Sequence, residues 1–499
     1  MINKNNHICF FFTNNIQYYK RIFRHFFIFR RYINDFFNNF IGKVNDFLWT
    51  YVLIAPLIIL GIYFTYKTKF VQFRFFKEMF ILLGDGFNSS RDKNSISSFQ
   101  AFCISTASRV GTGNLAGIAI AISVGGPGAI FWMWLIALIG SASSFVESTL
   151  AQIYKEKDKE GNFIGGPAYY MEKALGQRWM GVTFSILITI CFGLVFNSVQ
   201  SNTISIAMNE AFGTSKLLIG ILLTAITLFI VFGGIKRIAK VSEIIVPIMA
   251  TAYILISLFV VFKNITAVPS VIKLIFTSAF NLESILGGTT GALIIGIKRG
   301  LFSNEAGMGS APNAAATADV SHPVKQGLIQ TLGVFTDTIL ICSCTAFIIL
   351  LSGIDYSDKG LTGIQLTQNA LSSQIGELGS IFIAICVLLF AFSSIVGNYY
   401  YGESNIEFLS EKKIYLIIYR LFVAGMVLFG SVASLQIVWD LADVFMALMA
   451  IINLIAIILL GKFAFKALDD YTKQKKSGIS DPVFKSSSIP ELKNADEWK

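Results

Sequence analysis

The chain has 499 residues, of which 54% are hydrophobic and only 14% are charged, and its mean hydropathy is +0.65. Soluble domains carry about 25% charged residues, so this composition excludes an ordinary water-soluble protein. The net charge is +10, but the basic residues lie between apolar stretches, which argues against a nucleic-acid partner. We expect an integral membrane protein that is embedded in the lipid bilayer.

Residues 1–48 form a basic, aromatic extension ahead of the first apolar stretch. No uninterrupted apolar core precedes a small-residue cleavage site there, so the extension does not match a secretory signal. Its mixture of aromatic and basic residues is typical of a helix lying on anionic lipid. The alternatives are an extension without function and a wrongly assigned translation start.

Eleven apolar stretches then follow, many of them about 18 to 25 residues long, which is the length a helix needs to cross a hydrocarbon core of roughly 30 Å. Backbone groups in lipid must be satisfied within the segment, so these are helices, and their length excludes barrel strands of about ten residues. The fold class is therefore all-α. The predicted spans are 49–66, 97–122, 128–153, 181–210, 215–233, 241–262, 287–319 with an interruption, 325–352, 378–401, 414–434 and 440–465.

The charges between these spans predict the orientation of the chain. The segments on one side, counted up to Lys476 and including Lys462, contain 24 Lys and Arg residues, whereas the loops on the other side contain 4. Basic loops remain in the cytoplasm, so we expect residues 466–499 to form a cytoplasmic C-terminal tail. An odd number of spans places the N-terminus outside, where the basic extension breaks the rule that the other loops obey.

Cysteine and histidine do not point to an enzyme. Five of the six cysteines fall inside apolar spans, where thiols behave as small apolar residues, and their spacing gives neither a disulfide framework nor a metal site. The three histidines do not accompany a nucleophile or a metal cluster. We expect no catalytic residues and no cofactor.

The second span is interrupted by the sequence Arg109-Val-Gly-Thr-Gly-Asn114. Two glycines and a threonine permit the helix to unwind, and the amides released in this way need partners because an orphaned amide in lipid costs several kcal/mol. An anionic group of a substrate is one such partner. Close packing of helices through Gly113 and Gly117, which are spaced as GxxxG, is the alternative.

A second interruption, Arg299 to Pro312, lies five spans after the first. Transporters built from inverted repeats place a broken helix at the same position in each half, so the pair of interruptions favours a transporter. Asn304 and Glu305 are costly in a membrane and are expected to face a cavity or one another. An ion pair of Glu305 with Arg109 or Arg299 is the alternative.

Two further polar groups lie inside apolar spans. Ser393 and Ser394 are expected either to bond back to the preceding turn of their own helix or to supply neutral oxygen ligands to a hard cation. Asn197, Gln200 and Asn202 lie in the fourth span, where they predict either a polar cavity wall or hydrogen bonds between helices.

With these residues assembled, the chain resembles the alanine or glycine:cation symporters, the sodium:alanine symporters of the LeuT-type fold. The resemblance covers roughly residues 45–470. The motifs that carry it are VGTGNLAG, GGPGAIFWMW, GGPAYYME, RGLFSNEAGMGSAP and FAFSSIVGNYYYGE. It implies one extra transmembrane helix, 49–66, followed by two inverted five-helix repeats, 97–262 and 287–465.

The resemblance also implies where the ligands bind. The carboxylate of the substrate is expected at the backbone of the first interruption, and its remaining parts at the fourth span and the second interruption. The expected substrate-binding residues are Gly111, Thr112, Gly113, Asn114, Gln200, Phe302, Ser303, Asn304 and Met308. The expected Na⁺ ligands are the carbonyls of Ala107 and Val110 and the hydroxyls of Ser393 and Ser394.

The expected function is therefore secondary active symport, in which a small neutral amino acid, alanine or glycine, is imported through the cell (inner) membrane with Na⁺ by alternating access. Proton coupling is the main alternative and would use Glu305, Asp337 or Glu147 as the titrating group. A passive channel is a less favoured alternative to symport. Asn398 stands where the family usually has Trp, so serine or another small polar amino acid becomes a candidate substrate. The oligomeric state is left open.

Overall fold

The structure is a computed structural model that describes residues 40–88, 95–280, 291–357, 361 and 363–498. Residues 1–39 of the N-terminal extension and 287–290 of the predicted seventh span lie outside the described residues. The described chain is almost entirely helical, with one short antiparallel pair of strands, β1 (Glu156–Lys157) and β2 (Phe163–Ile164).

The helices are labelled α1 to α18 in chain order. Those in the first half are α1 Phe40–Lys67, α2 Val71–Arg74, α3 Phe76–Asn88, α4 Ser98–Arg109, α5 Gly113–Gly125, α6 Gly128–Ile153, α7 Pro167–Lys173, α8 Arg178–Phe212, α9 Lys216–Val231 and α10 Gly234–Lys263. Those in the second half are α11 Val268–Ala279, α12 Ala292–Asn304, α13 Ala311–Ala316, α14 Pro323–Leu350, α15 Ile364–Ile375, α16 Leu378–Leu409, α17 Lys413–Val432 and α18 Leu435–Lys476.

Eleven crossings account for the eleven predicted spans. Eight helices of the described chain are long and apolar enough to cross a membrane; α9 is shorter, with 16 residues. The two remaining crossings are each made of two half-helices, α4 with α5 and α12 with α13. After α1, the crossings form two sets of five, and each set begins with a broken one. Because five is odd, the second set starts from the opposite side of the membrane, which is an inverted repeat.

Several helices lie in segments that were predicted as loops. These are α2, α3, α7, α11 and α15, which have at most 13 residues and are therefore too short to cross. The last helix also continues to Lys476, beyond the predicted span end at residue 465. A search for apolar stretches of membrane-spanning length does not detect such short helices.

The ends of the central helices follow from local sequence. Ser97 and Gln100 form a capping box at the start of α4, in which each side chain bonds to the backbone N–H of the other residue at 3.2 Å. Gly213 adopts a left-handed conformation directly after α8, with φ +65°. Pro323 occupies the first turn of α14, where its missing N–H costs nothing.

The broken crossings are buried inside the helix bundle, where residues 101–109 of α4 and all six residues of α13 are buried. The helices around them differ in burial. Two thirds of the apolar stretch is buried in α6 and α14, but only 28% in α10 and 33% in α1 and α17. The outer helices therefore present apolar side chains to lipid, such as Leu222 and Phe259. Helix α12 packs very closely on α6, since a Cβ added at Gly296 would lie 2.3 Å from the Ala129 carbonyl oxygen.

Two basic residues lie in the opposite half of the seventh crossing from the one predicted. Lys298 and Arg299 were counted as cytoplasmic, but they belong to α12, on the far side of the second interruption from α13. Lys298 bonds there to Asn45 near the start of α1. Moving both residues leaves 22 basic residues against 6, so the same side remains the more basic one.

Candidate substrate and cation site

The first interruption brings two helix ends together in the middle of a crossing. Helix α4 ends at Arg109, and Val110 leaves the helical conformation with ψ +88°. Helix α5 begins at Gly113. The last carbonyls of α4 and the first amides of α5 lack partners within their own helices. The break therefore offers a partial negative charge on one side and a partial positive charge on the other.

Side-chain oxygens accept hydrogen bonds from the amides of the break. The N–H of Gly111 donates to Asn114 Oδ1 at 2.9 Å, and the N–H of Thr112 donates to Gln200 Oε1 from α8 at 3.0 Å. A Cβ added at Gly111 would lie 2.3 Å from Ser394 Oγ and 2.8 Å from Gln200 Oε1. Only glycine fits between α8 and α16 at this position.

At the carbonyl end, three of the four expected Na⁺ ligands converge. The Ser394 hydroxyl in α16 donates to the Ala107 carbonyl at 2.8 Å and lies 3.4 Å from the Val110 carbonyl. The Ser393 hydroxyl is turned away and donates to the Phe390 carbonyl of its own helix at 2.8 Å. Of the two interpretations made for this serine pair, back-bonding describes Ser393. Ser394 also lies 3.1 Å from the Phe390 carbonyl of its own helix, but it contacts the break as well.

Asn114 belongs to a buried polar cluster that includes a carboxylate. Its Nδ2 donates to Asp337 Oδ1 in α14 at 2.5 Å and lies 3.2 Å from Ser303 Oγ. The Ser303 hydroxyl donates to Asp337 Oδ2 at 2.6 Å. The sequence marked Asp337 as a carboxylate inside a span, but only the structure places it against two expected substrate-binding residues.

Phe302 forms a wall of the break together with two aromatic residues that the sequence analysis missed. Its ring lies 2.9 Å from a Cβ added at Gly113. It stacks on Phe196, with ring centroids 4.6 Å apart, and its centroid is 4.7 Å from that of Trp439. Arg299 lies over Trp439 and donates to Asp443 Oδ1 at 2.6 Å. An aromatic residue in an apolar span gives no signal of such a role.

The amides of the second interruption already have a carboxylate partner. Gly307 and Gly309, which adopt left-handed conformations with φ +84° and +83°, donate to Glu147 Oε1 and Oε2 at 3.1 and 3.0 Å. Asn453 of α18 donates to the same carboxylate at 2.8 Å. Met308 is buried between these two glycines. This part of the second interruption is therefore bonded to α6 and α18.

Glu305 does not form the ion pair considered as its alternative. Its two carboxylate oxygens accept from the hydroxyls of Ser108 at 3.0 Å and Ser310 at 2.5 Å. Arg109 donates to the Gln330 carbonyl instead, and Arg299 is paired with Asp443. Glu305 therefore connects the end of α4 to the second interruption through hydroxyl groups.

The remaining amide side chains have separate roles. Asn197 donates to the Gly193 carbonyl of its own turn, and Asn202 donates to the carbonyls of Gly430 and Ala433 at the end of α17. Of the three amides in α8, only Gln200 bonds to the break. The Asn398 amide lies 2.6 Å from Ser108 Oγ.

Comparisons with known proteins agree with this architecture. The chain is 58% identical to the "probable sodium/glutamine symporter GlnT" of Bacillus subtilis, over 92% of this chain and 95% of that one. It is 37% identical to the "sodium/alanine symporter AgcS" of Methanococcus maripaludis, over 85% and 95%.

Among solved structures, the crystal structure of MhsT in complex with L-phenylalanine superposes with a TM-score of 0.53 at 16% identity, covering 76% of this chain and 96% of that one. This likeness shows that the chain has the LeuT-type fold. The profile of the sodium:alanine symporter family matches residues 34–486. The chain belongs to the sodium:alanine symporter family and is an amino acid transporter, not an enzyme.

Proposed function

We propose that the chain is a symporter that imports a small neutral amino acid together with Na⁺ by alternating access. The observation that carries the proposal is the first interruption, where carbonyl oxygens and backbone amides occur within Ala107–Asn114. A cation suits the carbonyl end of α4, and a carboxylate suits the amide end of α5. An amino acid and Na⁺ supply these two charges.

The carboxylate of the substrate would bind the amides of Gly111, Thr112 and Gly113. It would replace neutral acceptors, the oxygens of Asn114 and Gln200, with a charged one, and hydrogen bonds to charged groups are roughly twice as strong. The released Gln200 amide would then be available to the substrate. Phe302 and Ser303 lie directly against Gly113, so a substrate bound here would need a short side chain.

Sodium would bind the neutral oxygens of Ala107, Val110 and Ser394, and Ser393 would join them after a rotation about χ1. These ligands belong to α4 and to α16, so the ion would connect the broken crossing of the first set to the second set. Occupancy then favours the conformations in which α4 and α16 lie close together, and it orders the amides that hold the carboxylate. Coupling of this kind is reciprocal, so each ligand raises the affinity for the other.

Uptake of labelled alanine and glycine into proteoliposomes tests the proposal. We expect accumulation with an inward Na⁺ gradient and none with K⁺ in place of Na⁺. Accumulation that requires a proton gradient and not Na⁺ would establish the alternative coupling through Glu305, Asp337 or Glu147. Equilibration without accumulation under either gradient would identify a passive channel.

Glutamine is a second candidate substrate, because two buried amide side chains near Glu305 are arranged to bind a carboxamide. The Ser108 hydroxyl lies 2.6 Å from Asn398 Oδ1 and 3.0 Å from a Glu305 oxygen, so its single proton faces two acceptors. A flip of the Asn398 amide lets its Nδ2 donate to Ser108 while Ser108 donates to Glu305. After the flip, the Asn398 oxygen occupies the position of Nδ2, the atom that has no partner among the described residues.

Asn304 supplies the complementary donor. Its Oδ1 accepts from the N–H of Ala306 at 3.0 Å, which fixes its orientation. Its Nδ2 is buried without a partner in the described chain. A free donor next to Glu305 and a free acceptor across Ser108 match the oxygen and the nitrogen of a side-chain carboxamide. The name of the relative GlnT agrees with this candidate.

Competition of labelled alanine uptake by glutamine and by serine measures this preference. We expect Asn398→Trp, which restores the usual family residue, to weaken competition by glutamine about tenfold while alanine uptake remains, since one buried polar contact is worth roughly 1–1.5 kcal/mol. Equal competition by glutamine in both proteins would dismiss the carboxamide assignment without affecting the proposal of symport.

A further inference from the structure

The last described residues of the chain return to the more basic, cytoplasmic side of the helix bundle. Residues 477–498, which we call the C-terminal strap, follow α18. Their three largest buried side chains, Phe484, Ile489 and Trp498, are 3%, 2% and 6% exposed. A polar tail that only extended into solvent would not bury such side chains. The strap is therefore part of the folded structure.

One part of the strap is bonded to the segment between α13 and α14. The Phe484 N–H donates to the Ser321 carbonyl at 2.9 Å, and the Ser321 hydroxyl donates to Asp481 at 2.9 Å. Lys325, at the start of α14, forms an ion pair with Asp481. The Phe484 ring packs edge-on against His322, with centroids 5.2 Å apart. The strap thus stabilises the segment that connects the second broken crossing to α14.

The end of the strap is bonded to α6. Trp498 Nε1 donates to the Gln152 carbonyl at 2.9 Å. The Gln152 side chain donates to the carbonyls of Ala315 and Ala318 at 2.5 and 2.9 Å. Lys155 lies over the Trp498 ring at 4.9 Å and also donates to Ala318. Trp498 therefore contacts Gln152, whose side chain connects α6 to the end of α13.

A third group of contacts connects the strap to the segment between α6 and α8. Asp496 pairs with Lys173 at 3.2 Å, and Glu497 pairs with Lys157 at 3.7 Å. Asn494 Nδ2 donates to the Lys173 carbonyl at 2.8 Å. Lys173 ends α7, whose Tyr169 ring packs on Phe408 of α16. The strap thus joins the cytoplasmic ends of both five-helix sets.

We propose that the C-terminal strap is a latch that holds the cytoplasmic side of the transporter closed. Inward opening would require α13 to move away from its neighbours at this side, and the strap bonds the segment that follows α13 to α6 and α7 at once. Contacts that form only in the closed state stabilise that state. Release of the strap therefore shifts the population toward inward-open conformations. This inference does not depend on the identity of the amino acid or of the coupling ion.

Hydrogen–deuterium exchange of the full-length protein in KCl buffer tests the latch. The variant Phe484→Ala/Trp498→Ala removes its two buried rings, and Lys493→Ala changes an exposed strap residue as a matched control. We read exchange at residues 305–310, which the strap does not contact, because the amides there are protected only while the second interruption keeps its contacts with Glu147. We expect the double variant to exchange about tenfold faster there and the control to match the parent.

The ion pair of the strap provides an independent check that does not remove buried rings. Asp481→Lys places two positive charges together and should also accelerate exchange at residues 305–310. The double exchange Lys325→Asp/Asp481→Lys should restore most of the protection. Parental exchange at 305–310 in a variant whose residues 480–498 have become unprotected would show that the strap does not hold the transporter closed. Failure of the double exchange to restore protection would equally overturn the latch.

Discussion

The two interruptions differ in how their backbone amides are satisfied. At the first, the amides of Gly111 and Thr112 donate to neutral side-chain oxygens of Asn114 and Gln200. At the second, the amides of Gly307 and Gly309 donate to both oxygens of a buried carboxylate, Glu147. A neutral acceptor can be replaced by a charged ligand at a gain in free energy, whereas a bidentate carboxylate cannot.

This difference assigns different roles to two breaks that look alike in sequence. The first is arranged to exchange its partners, which is what binding and release of a carboxylate require. The second is arranged to keep its partners, since Glu147 is held further by Asn453 and Asn453 by Tyr170. We infer that the second break acts as a fixed joint between α6, α12 and α18, while the first holds the ligands.

The largest expected effect is at the first break. Gly111→Ala would place a methyl group 2.3 Å from Ser394 Oγ and 2.8 Å from Gln200 Oε1, and overpacking of this kind costs about 1–3 kcal/mol. We expect Na⁺-dependent uptake to fall by up to about 150-fold. Gly117→Ala is the matched control, because its methyl group would meet the Trp439 ring at an ordinary 3.4 Å. Equal activity of the two variants would contradict the role given to the first break.

An intermediate effect is expected at the second break. Glu147→Gln keeps the size of the side chain but gives the amides of Gly307 and Gly309 one neutral oxygen in place of two charged ones. We expect the maximal uptake rate to fall about 10- to 100-fold, because each charge-assisted hydrogen bond is worth about 1.5–3 kcal/mol. The Na⁺ concentration for half-maximal uptake should change little.

Ser148→Ala provides the comparison for Glu147→Gln on the same helix. The Ser148 hydroxyl is buried and has no hydrogen-bond partner in the described part of the chain, so its removal should leave the rate close to that of the parent. A change in Na⁺ dependence for Glu147→Gln, with an unchanged rate, would show that the second break binds the ion and is not a fixed joint.

The smallest effect separates two adjacent serines. Ser394 lies against the carbonyls of Ala107 and Val110, whereas Ser393 is bonded to its own helix. We expect Ser394→Ala to weaken the apparent Na⁺ affinity about tenfold and Ser393→Ala to change it about twofold or less, as measured by Na⁺ titration of uptake. The reverse order would mean that the cation lies on the Ser393 side of α16.

Much of the fold could be predicted from the sequence, and the reason is physical. A lipid bilayer requires long apolar helices and disfavours charged or polar residues within them. The eleven crossings and the two interruptions could therefore be predicted from the order of apolar and polar residues along the chain. The shorter helices, such as α3 and α11, were not predicted, because nothing about crossing a membrane constrains them. Lys298 and Arg299 were counted on the wrong side, since charged residues inside a half-helix resemble those of a loop.

What the sequence by itself determined is that this is a membrane protein with a broken helix at the start of each half, because backbone groups in lipid leave few alternatives. Which side chain meets which break was decided by the tertiary structure alone. Glu147 lies 160 positions before the amide of Gly307, and Ser394 lies 287 positions after the carbonyl of Ala107. Contacts at such distances depend on how helices pack, and a linear pattern of apolar and polar residues does not encode them.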